Sequence, residues 1–304
     1  MNARELTDQI AAKLAAEVRR NGDIIPYIAE DGVYKTDMRQ KNLSWWTNGF
    51  WAGLLWQMYH AVGVAEFKST AEKTEGWLDE AMADFTGLHH DVGFMWMLSA
   101  VADYRLTGNE KSRIRAMHAA TLLAGRYNPN GRFLRAWNGD KTGWMIVDCL
   151  MNLSLLYWAS DETGDPRYAE IAQNHADTAL RVLLRPDGSC NHIAVLDPVT
   201  GELMGAPAGQ GYAPGSSWSR GQSWAVYGFA LSAKHTGEAR YLEAAKRSAH
   251  YFIRQRRHAQ LGAAGGFSRA GIPRAAGHER RGHCGLRPAG TGKTGICLRE
   301  KALS

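Results

Sequence analysis

No run in the 304-residue chain approaches the roughly 18 uninterrupted apolar residues that a membrane span requires. Met1 to Arg20 is charged and amphipathic throughout, unlike a secretory signal, so a cytoplasmic protein is the expectation. Cysteine is scarce: Cys149, Cys190, Cys284 and Cys297 form no C-x-x-C pair and show no zinc-ligand spacing, which excludes a disulfide framework and leaves free thiols. A phosphate loop is also missing. Gly290-Thr-Gly-Lys-Thr294 has the right ending, but Arg287 stands where the motif needs glycine and no strand precedes it. With 45% hydrophobic and 22% charged residues, the chain is neither disordered nor fibrous. Tryptophan is absent after Trp224, although eleven occur up to that point.

The last observation divides the chain. From Arg256 to Ser304 there are ten Lys or Arg against Glu279 and Glu300, whereas residues 1–255 carry 26 basic and 28 acidic groups. The formal charge of +6 therefore belongs to the tail. No basic patch interleaved with aromatics occurs in the body, so nucleic acid is not an expected partner.

The body, residues 1–255, reads as about nine helices. Leu6, Ile10, Leu14 and Val18 recur at helical spacing up to Asn21-Gly22. Further helices are predicted over 48–62, 65–84, 89–107, 109–127, 144–162, 166–184, 218–235 and 238–255. Glycine followed four residues later by an aromatic marks three joints, Gly63 to Phe67, Gly164 to Tyr168 and Gly237 to Tyr241, and Gly108 repeats the turn alone. Alternate helices differ in kind. Asn48 to Val62 and Gly221 to Ala233 have no Asp, Glu, Lys or Arg, while of these four types His89 to Ala102 holds only Asp91 and Trp144 to Ala159 only Asp148. Helices apolar all round are buried, and their neighbours, charged along one face, lie outside. This alternation predicts an all-α, double-ring (α/α)6 barrel, with a solenoid of stacked pairs as the other arrangement that alternates in this way.

A lone carboxylate on a buried helix costs several kcal/mol unless paired or protonated, so Asp91 and Asp148 are the candidate functional groups. The competing reading is that each caps its helix, which suits Asp91 better than Asp148, four residues after Trp144. Trp45, Trp46, Asn48, His89, His90, Trp218, Arg220 and Trp224 gather at the same helix beginnings, which meet at one mouth in a barrel. Indole faces stack on sugar rings and arginine forks onto an acid, so the pocket suits a carbohydrate bearing a carboxylate. His89-His90-Asp91 is not read as a metal site, because successive helical side chains point about 100° apart.

Four segments, Trp46-Thr-Asn-Gly-Phe-Trp51, His89-His-Asp-Val-Gly-Phe94, Val147-Asp-Cys-Leu-Met-Asn152 and Trp218-Ser-Arg-Gly-Gln-Ser-Trp224, resemble in this order the unsaturated glucuronyl hydrolases of glycoside hydrolase family 88. The resemblance covers most of residues 40 to 255 and implies a six-fold α/α barrel without metal or cofactor. It further implies removal of a Δ4,5-unsaturated uronic acid from lyase-generated oligosaccharides by hydration of the C4=C5 vinyl ether. Asp148 would be the acid/base, and Asp91 the second essential carboxylate, positioning substrate and raising the Asp148 pKa by like-charge proximity. Trp46, His192, Gln210, Trp218, Arg220 and Trp224 fall on the family's subsite positions, and Trp137 is a further candidate wall. Unsaturated rhamnogalacturonyl hydrolases share the barrel and twin aspartates, but the paired histidines and the W-S-R-G-Q-S-W run favour the glucuronyl group. An inactive sugar-binding remnant is the reading outside catalysis.

A six-fold barrel needs twelve helices, and about nine precede Arg256. Beyond it, Gly262 to Gly266, Gly271-Ile-Pro273 and Gly290 to Gly295 interrupt every helical window. The expectation for residues 256–304, a basic Gly/Arg-rich tail, is an aberrant, frameshifted segment that leaves the barrel unclosed.

Overall fold

The computed structural model describes residues 2–258 and 266–267. In chain order these form α1 (Ala3–Asn21), a hairpin of β1 (Ala29–Glu30) and β2 (Val33–Tyr34), the single turn α2 (Met38–Lys41), α3 (Asn48–Val62), α4 (Ala65–Asp84), α5 (Val92–Trp96), α6 (Ala100–Thr107) and α7 (Glu110–Ala124). A second hairpin, β3 (Tyr127–Asn128) with β4 (Phe133–Leu134), precedes β5 (Trp144–Ile146), α8 (Cys149–Thr163) and α9 (Pro166–Val182). Then come β6 (Ile193–Leu196), β7 (Leu203–Gly205), β8 (Ser217–Trp218), α10 (Ser219–Thr236), α11 (Ala239–His258) and β9 (Gly266–Phe267).

Helices alternate between two layers, as the charge pattern predicts. The inner arc runs α3, α5 with α6, α8, α10, each packed on the next, and α4, α7, α9 and α11 back them from outside. The four joints close as expected: Gly63, Gly108, Gly164 and Gly237 all adopt left-handed geometry with φ between 70° and 73°, which a side chain would strain. The aromatics after three of them, Phe67, Tyr168 and Tyr241, are buried between the layers.

Three expectations need correction. The helix predicted over 89–107 is two helices, because the backbone leaves helical geometry at Ser99 (φ −99°, ψ −86°), whose Oγ donates to the Met95 carbonyl (2.6 Å). The helix predicted from 144 begins at Cys149, since Trp144–Ile146 pair antiparallel with Ile193–Val195. Leu6 and Ile10 remain exposed on α1, which buries only Leu14 and Val18. The tail expectation falls on residues 256–304 and lies outside the described residues, apart from the end of α11 and Gly266–Phe267, whose strand pairs with β8. An open cavity of about 700 Å³ is lined by side chains of α3, α5, α6, α8 and α10, and Phe50, Leu54 and Tyr227 face it while remaining substantially exposed.

One buried junction ties the layers together. Trp56 Nε1 of α3 donates to Glu75 Oε1 of α4 (2.8 Å), and Ser112 Oγ of α7 lies 2.8 Å from Glu75 Oε2 and 2.5 Å from Asp103 Oδ2 of α6. A hydroxyl has one proton for two carboxyls, so one of them must supply its own. Burial, with the Asp103 charge adding to it against the Trp56 hydrogen bond, pushes Glu75 up to about 7. A folded pKa above the unfolded one stabilises at low pH, and that contribution is lost as pH rises through about 7. Unfolding free energy measured against pH is therefore expected to decline between about pH 5 and 8, and Glu75→Gln to flatten that decline. An unchanged slope in the variant would remove Glu75 as its cause.

Candidate active site

Asp91 and Asp148 occupy the N-cap positions of α5 and α8, yet neither side chain accepts a cap hydrogen bond. Both have right-handed helical backbone angles rather than the extended ones of a capping residue, so their carboxyls are turned away from the helix amides. The capping explanation is thereby excluded. Asn152, one turn into α8, joins the two ends: its Oδ1 accepts from Phe94 N (2.6 Å) and its Nδ2 donates to Asp148 O (3.4 Å). Gly93 backs directly onto Asn152, where any Cβ would overlap the Asn152 Cα.

Around Asp91 the charges are paired. His90 Nδ1 lies 2.8 Å from Ala136 O, which requires a proton on that nitrogen, and His90 Nε2 lies 3.1 Å from Asp91 Oδ1. Burial alone would raise Asp91 and lower His90, but their mutual attraction outweighs it, so Asp91 is held below the usual carboxylate range and His90 above the usual imidazole range. His89, stacked on His90 at 5.0 Å, is pushed down to about 4 by burial and by its charged neighbour. Asp91 thus faces the site as half of an ion pair rather than as a bare charge. The donor atoms of His89, His90 and Asp91 lie within 4.8 Å of one another. These residues precede α5 in a turn, so the argument from helical side-chain angles does not apply to them.

Around Asp148 the predicted residues come together. His192 Nδ1 accepts from Gln210 N (2.9 Å), so in its neutral form Nε2 carries the proton and points at Asp148 Oδ1, 3.5 Å away. Gly209, at φ +59°, makes this possible, since a Cβ there would overlap His192 Nδ1. The His192 ring packs on Trp218 at 4.5 Å, Arg220 lies over the same indole at 4.1 Å, and Arg220 Nη2 donates to Gln210 Oε1 (2.6 Å). A second aromatic wall joins Trp46, Phe94 and Trp224, with centroids 5.3 to 6.5 Å apart. Trp137 stands edge-on to His90 at 6.2 Å.

Several buried polar atoms of these residues, Asp148 Oδ1, His192 Nε2, His89 Nδ1 and Trp224 Nε1, have no protein hydrogen-bond partner. Such atoms are costly to bury, and their convergence marks a place built for a polar ligand. The sequence places His90 at the mouth without its pairing to Asp91, and Phe94 and Asn152 stand in motifs with no role attached. The signal for Asn152 is a polar amide in the apolar first turns of α8.

By fold the protein is of the α/α-barrel class, with two aspartates at the N-termini of neighbouring inner helices. It belongs to glycosyl hydrolase family 88, whose pattern matches residues 19–258. The chain is 38% identical over 244 residues to the unsaturated glucuronyl hydrolase of Bacillus sp. (strain GL1), covering 79% of this chain and 64% of that protein, just under two thirds of its length. The crystal structure of the enzyme from Bacillus sp. GL1 matches with a TM-score of 0.77 at 36% identity, over 82% of this chain and 67% of the other. An aspartate-to-asparagine mutant of the Streptococcus agalactiae unsaturated glucuronyl hydrolase, complexed with dGlcA-GalNAc6S, matches with a TM-score of 0.66 at 31% identity, over 82% and 62%.

Trp218 is only 2% exposed, so it lies beneath Arg220 and His192 rather than at the mouth where the sequence reading set it. Trp218→Ala is therefore expected to lower stability by about 3–5 kcal/mol. Arg220→Ala should leave the melting temperature nearly unchanged while weakening binding of a uronate-bearing sugar at least about tenfold. Calorimetric melting and titration of the two variants separate these roles, and a similar collapse of both would make Arg220 structural as well.

Proposed function

We propose that this protein removes a Δ4,5-unsaturated uronic acid from the non-reducing end of lyase-generated oligosaccharides by hydrating the C4=C5 vinyl ether. The observation that carries the reading is the non-capping Asp148, whose Oδ1 is buried without a hydrogen bond and faced by His192 Nε2. In its protonated form Asp148 delivers a proton to C4. The resulting carboxylate takes a proton from water as the oxygen attacks C5, which regenerates the acid. The product is a hemiketal at C5. It opens by breaking the C5–O5 bond, which leaves C1 a hemiacetal; collapse of that hemiacetal to an aldehyde breaks the C1–O glycosidic bond, and the next sugar leaves with the hydroxyl freed at its linkage position.

Asp91, kept ionised by His90, would hold a sugar hydroxyl rather than move the proton. Arg220 supplies the cation for the uronate, and Trp46, Trp137, His192, Gln210, Trp218 and Trp224 shape the pocket around the ring. The Bacillus and Streptococcus relatives carry the same activity in their names, and this supports the substrate class. Among the described residues no helix is long and apolar enough to cross a membrane.

The conjugated uronate absorbs in the ultraviolet, so turnover bleaches it whereas binding alone leaves it. Asp148→Asn is expected to reduce the bleaching rate at least about 100-fold while the fold and affinity persist. Retention of activity within about tenfold would overturn the assignment. Binding without bleaching by the unaltered protein would instead favour a sugar-binding remnant.

A further inference from the structure

The loop between β4 and β5 carries a feature that the reaction as described does not use. Trp137 and Trp144 approach at 5.8 Å, and Lys141 Nζ stands 5.4 Å from each ring. Among the described residues the contacts of the Lys141 ammonium are these two rings, with no carboxylate in ion-pairing distance. The loop is firmly tied to the site. Asn138 Nδ2 donates to Thr86 O (3.2 Å) and Leu88 O (3.1 Å), immediately ahead of His89, His90 and Asp91. Arg126 holds Asn138 Oδ1 (2.9 Å), Arg135 holds Gly139 O (2.7 Å), and Trp144 is fixed through its strand pairing with Val195. Trp137 in turn touches His90, the partner of Asp91. Lys141, Arg126 and Arg135 make this rim cationic, with Asp140 the acidic residue of the loop.

An ammonium held against two indoles, beside a sugar site and lacking a counter-charge, is an anion receptor carried on a stacking surface. We infer that Lys141, with the faces of Trp137 and Trp144, forms a subsite for an anionic substituent, a sulfate ester or carboxylate, on the sugar that follows the unsaturated uronic acid. This rests on the proposed hydrolase reading and adds to it the determinant of which neighbouring sugar is preferred. Lys141 touches that sugar and not the reacting double bond, so it sets selectivity between substrates.

The test uses two unsaturated chondroitin disaccharides that differ only in a 6-sulfate, with the unaltered protein, Lys141→Ala and Lys141→Arg. The ratio of kcat/KM for the sulfated over the unsulfated sugar is expected to fall about fivefold in Lys141→Ala and to be kept in Lys141→Arg. Raising ionic strength should shrink the ratio in the unaltered protein and leave that of Lys141→Ala nearly flat. An unchanged ratio in Lys141→Ala overturns the inference while turnover itself upholds the hydrolase reading. If the unaltered protein turns over neither sugar, the hydrolase reading fails, and calorimetric affinities for the same pair decide Lys141. Selectivity for the sulfated sugar that disappears in Lys141→Ala supports the subsite, and equal or absent binding overturns it.

Discussion

Successive inner helices touch backbone to backbone, and a glycine at each crossing permits it. A Cβ at Gly49 would overlap Met95 O, one at Gly93 the Asn152 Cα, and one at Gly228 the Leu150 Cβ, so the α3–α5, α5–α8 and α8–α10 contacts all depend on a missing side chain. Close crossing draws the N-termini of α5 and α8 together, and with them Asp91 and Asp148. A methyl group at Gly93 would have to push the two helices apart or bend one of them, and interiors are too densely packed to absorb that without cost. The site is in this sense a by-product of how tightly the inner wall is drawn.

Proximity brings an electrostatic problem that the surrounding residues answer in two ways. Asp91 is neutralised by His90, whose Nδ1 is fixed by Ala136 O, while Asp148 has only His192 Nε2 at a looser 3.5 Å and an oxygen free of hydrogen bonds. One carboxyl is paired closely with an imidazole and the other only loosely. Pairs of titratable groups in contrasting surroundings are how one site separates a binding carboxylate from a proton-transferring one. The layer beneath shows the same economy, with Glu75 and Asp103 sharing the single hydroxyl of Ser112.

Much of this was legible in the sequence because it is local. Glycine-aromatic joints and the swing between uncharged and one-sided helices need only a window of residues, and they gave α3, α4, α9 and both layers. What local pattern misses is whatever depends on a distant partner. Trp144-Met-Ile146 reads equally as helix or strand, and its partner Ile193–Val195 lies some fifty residues on, so the start of α8 was misplaced. The break at Ser99 is a change of backbone angles within an apolar run that no residue type announces, and Trp218 reads as a ring at the mouth until Arg220 and His192 are seen on top of it. His192 and Gln210 were found through family resemblance and not through spacing, since no periodicity marks a loop residue that a fold delivers to the site.

The central claim is that close crossing of α5 and α8 creates one sugar site with Asp148 at the reacting carbon. A crystal structure of the Asp148→Asn protein with an unsaturated uronyl disaccharide bound tests it directly. The account predicts C4 of the uronyl ring within about 3.5 Å of the side chain at position 148, a near-attack separation, with the uronate directed to Arg220 and a hydroxyl on Asp91. A disaccharide seated instead in the open cavity against Phe50 and Leu54, with Asp91 and position 148 both out of contact, would contradict it.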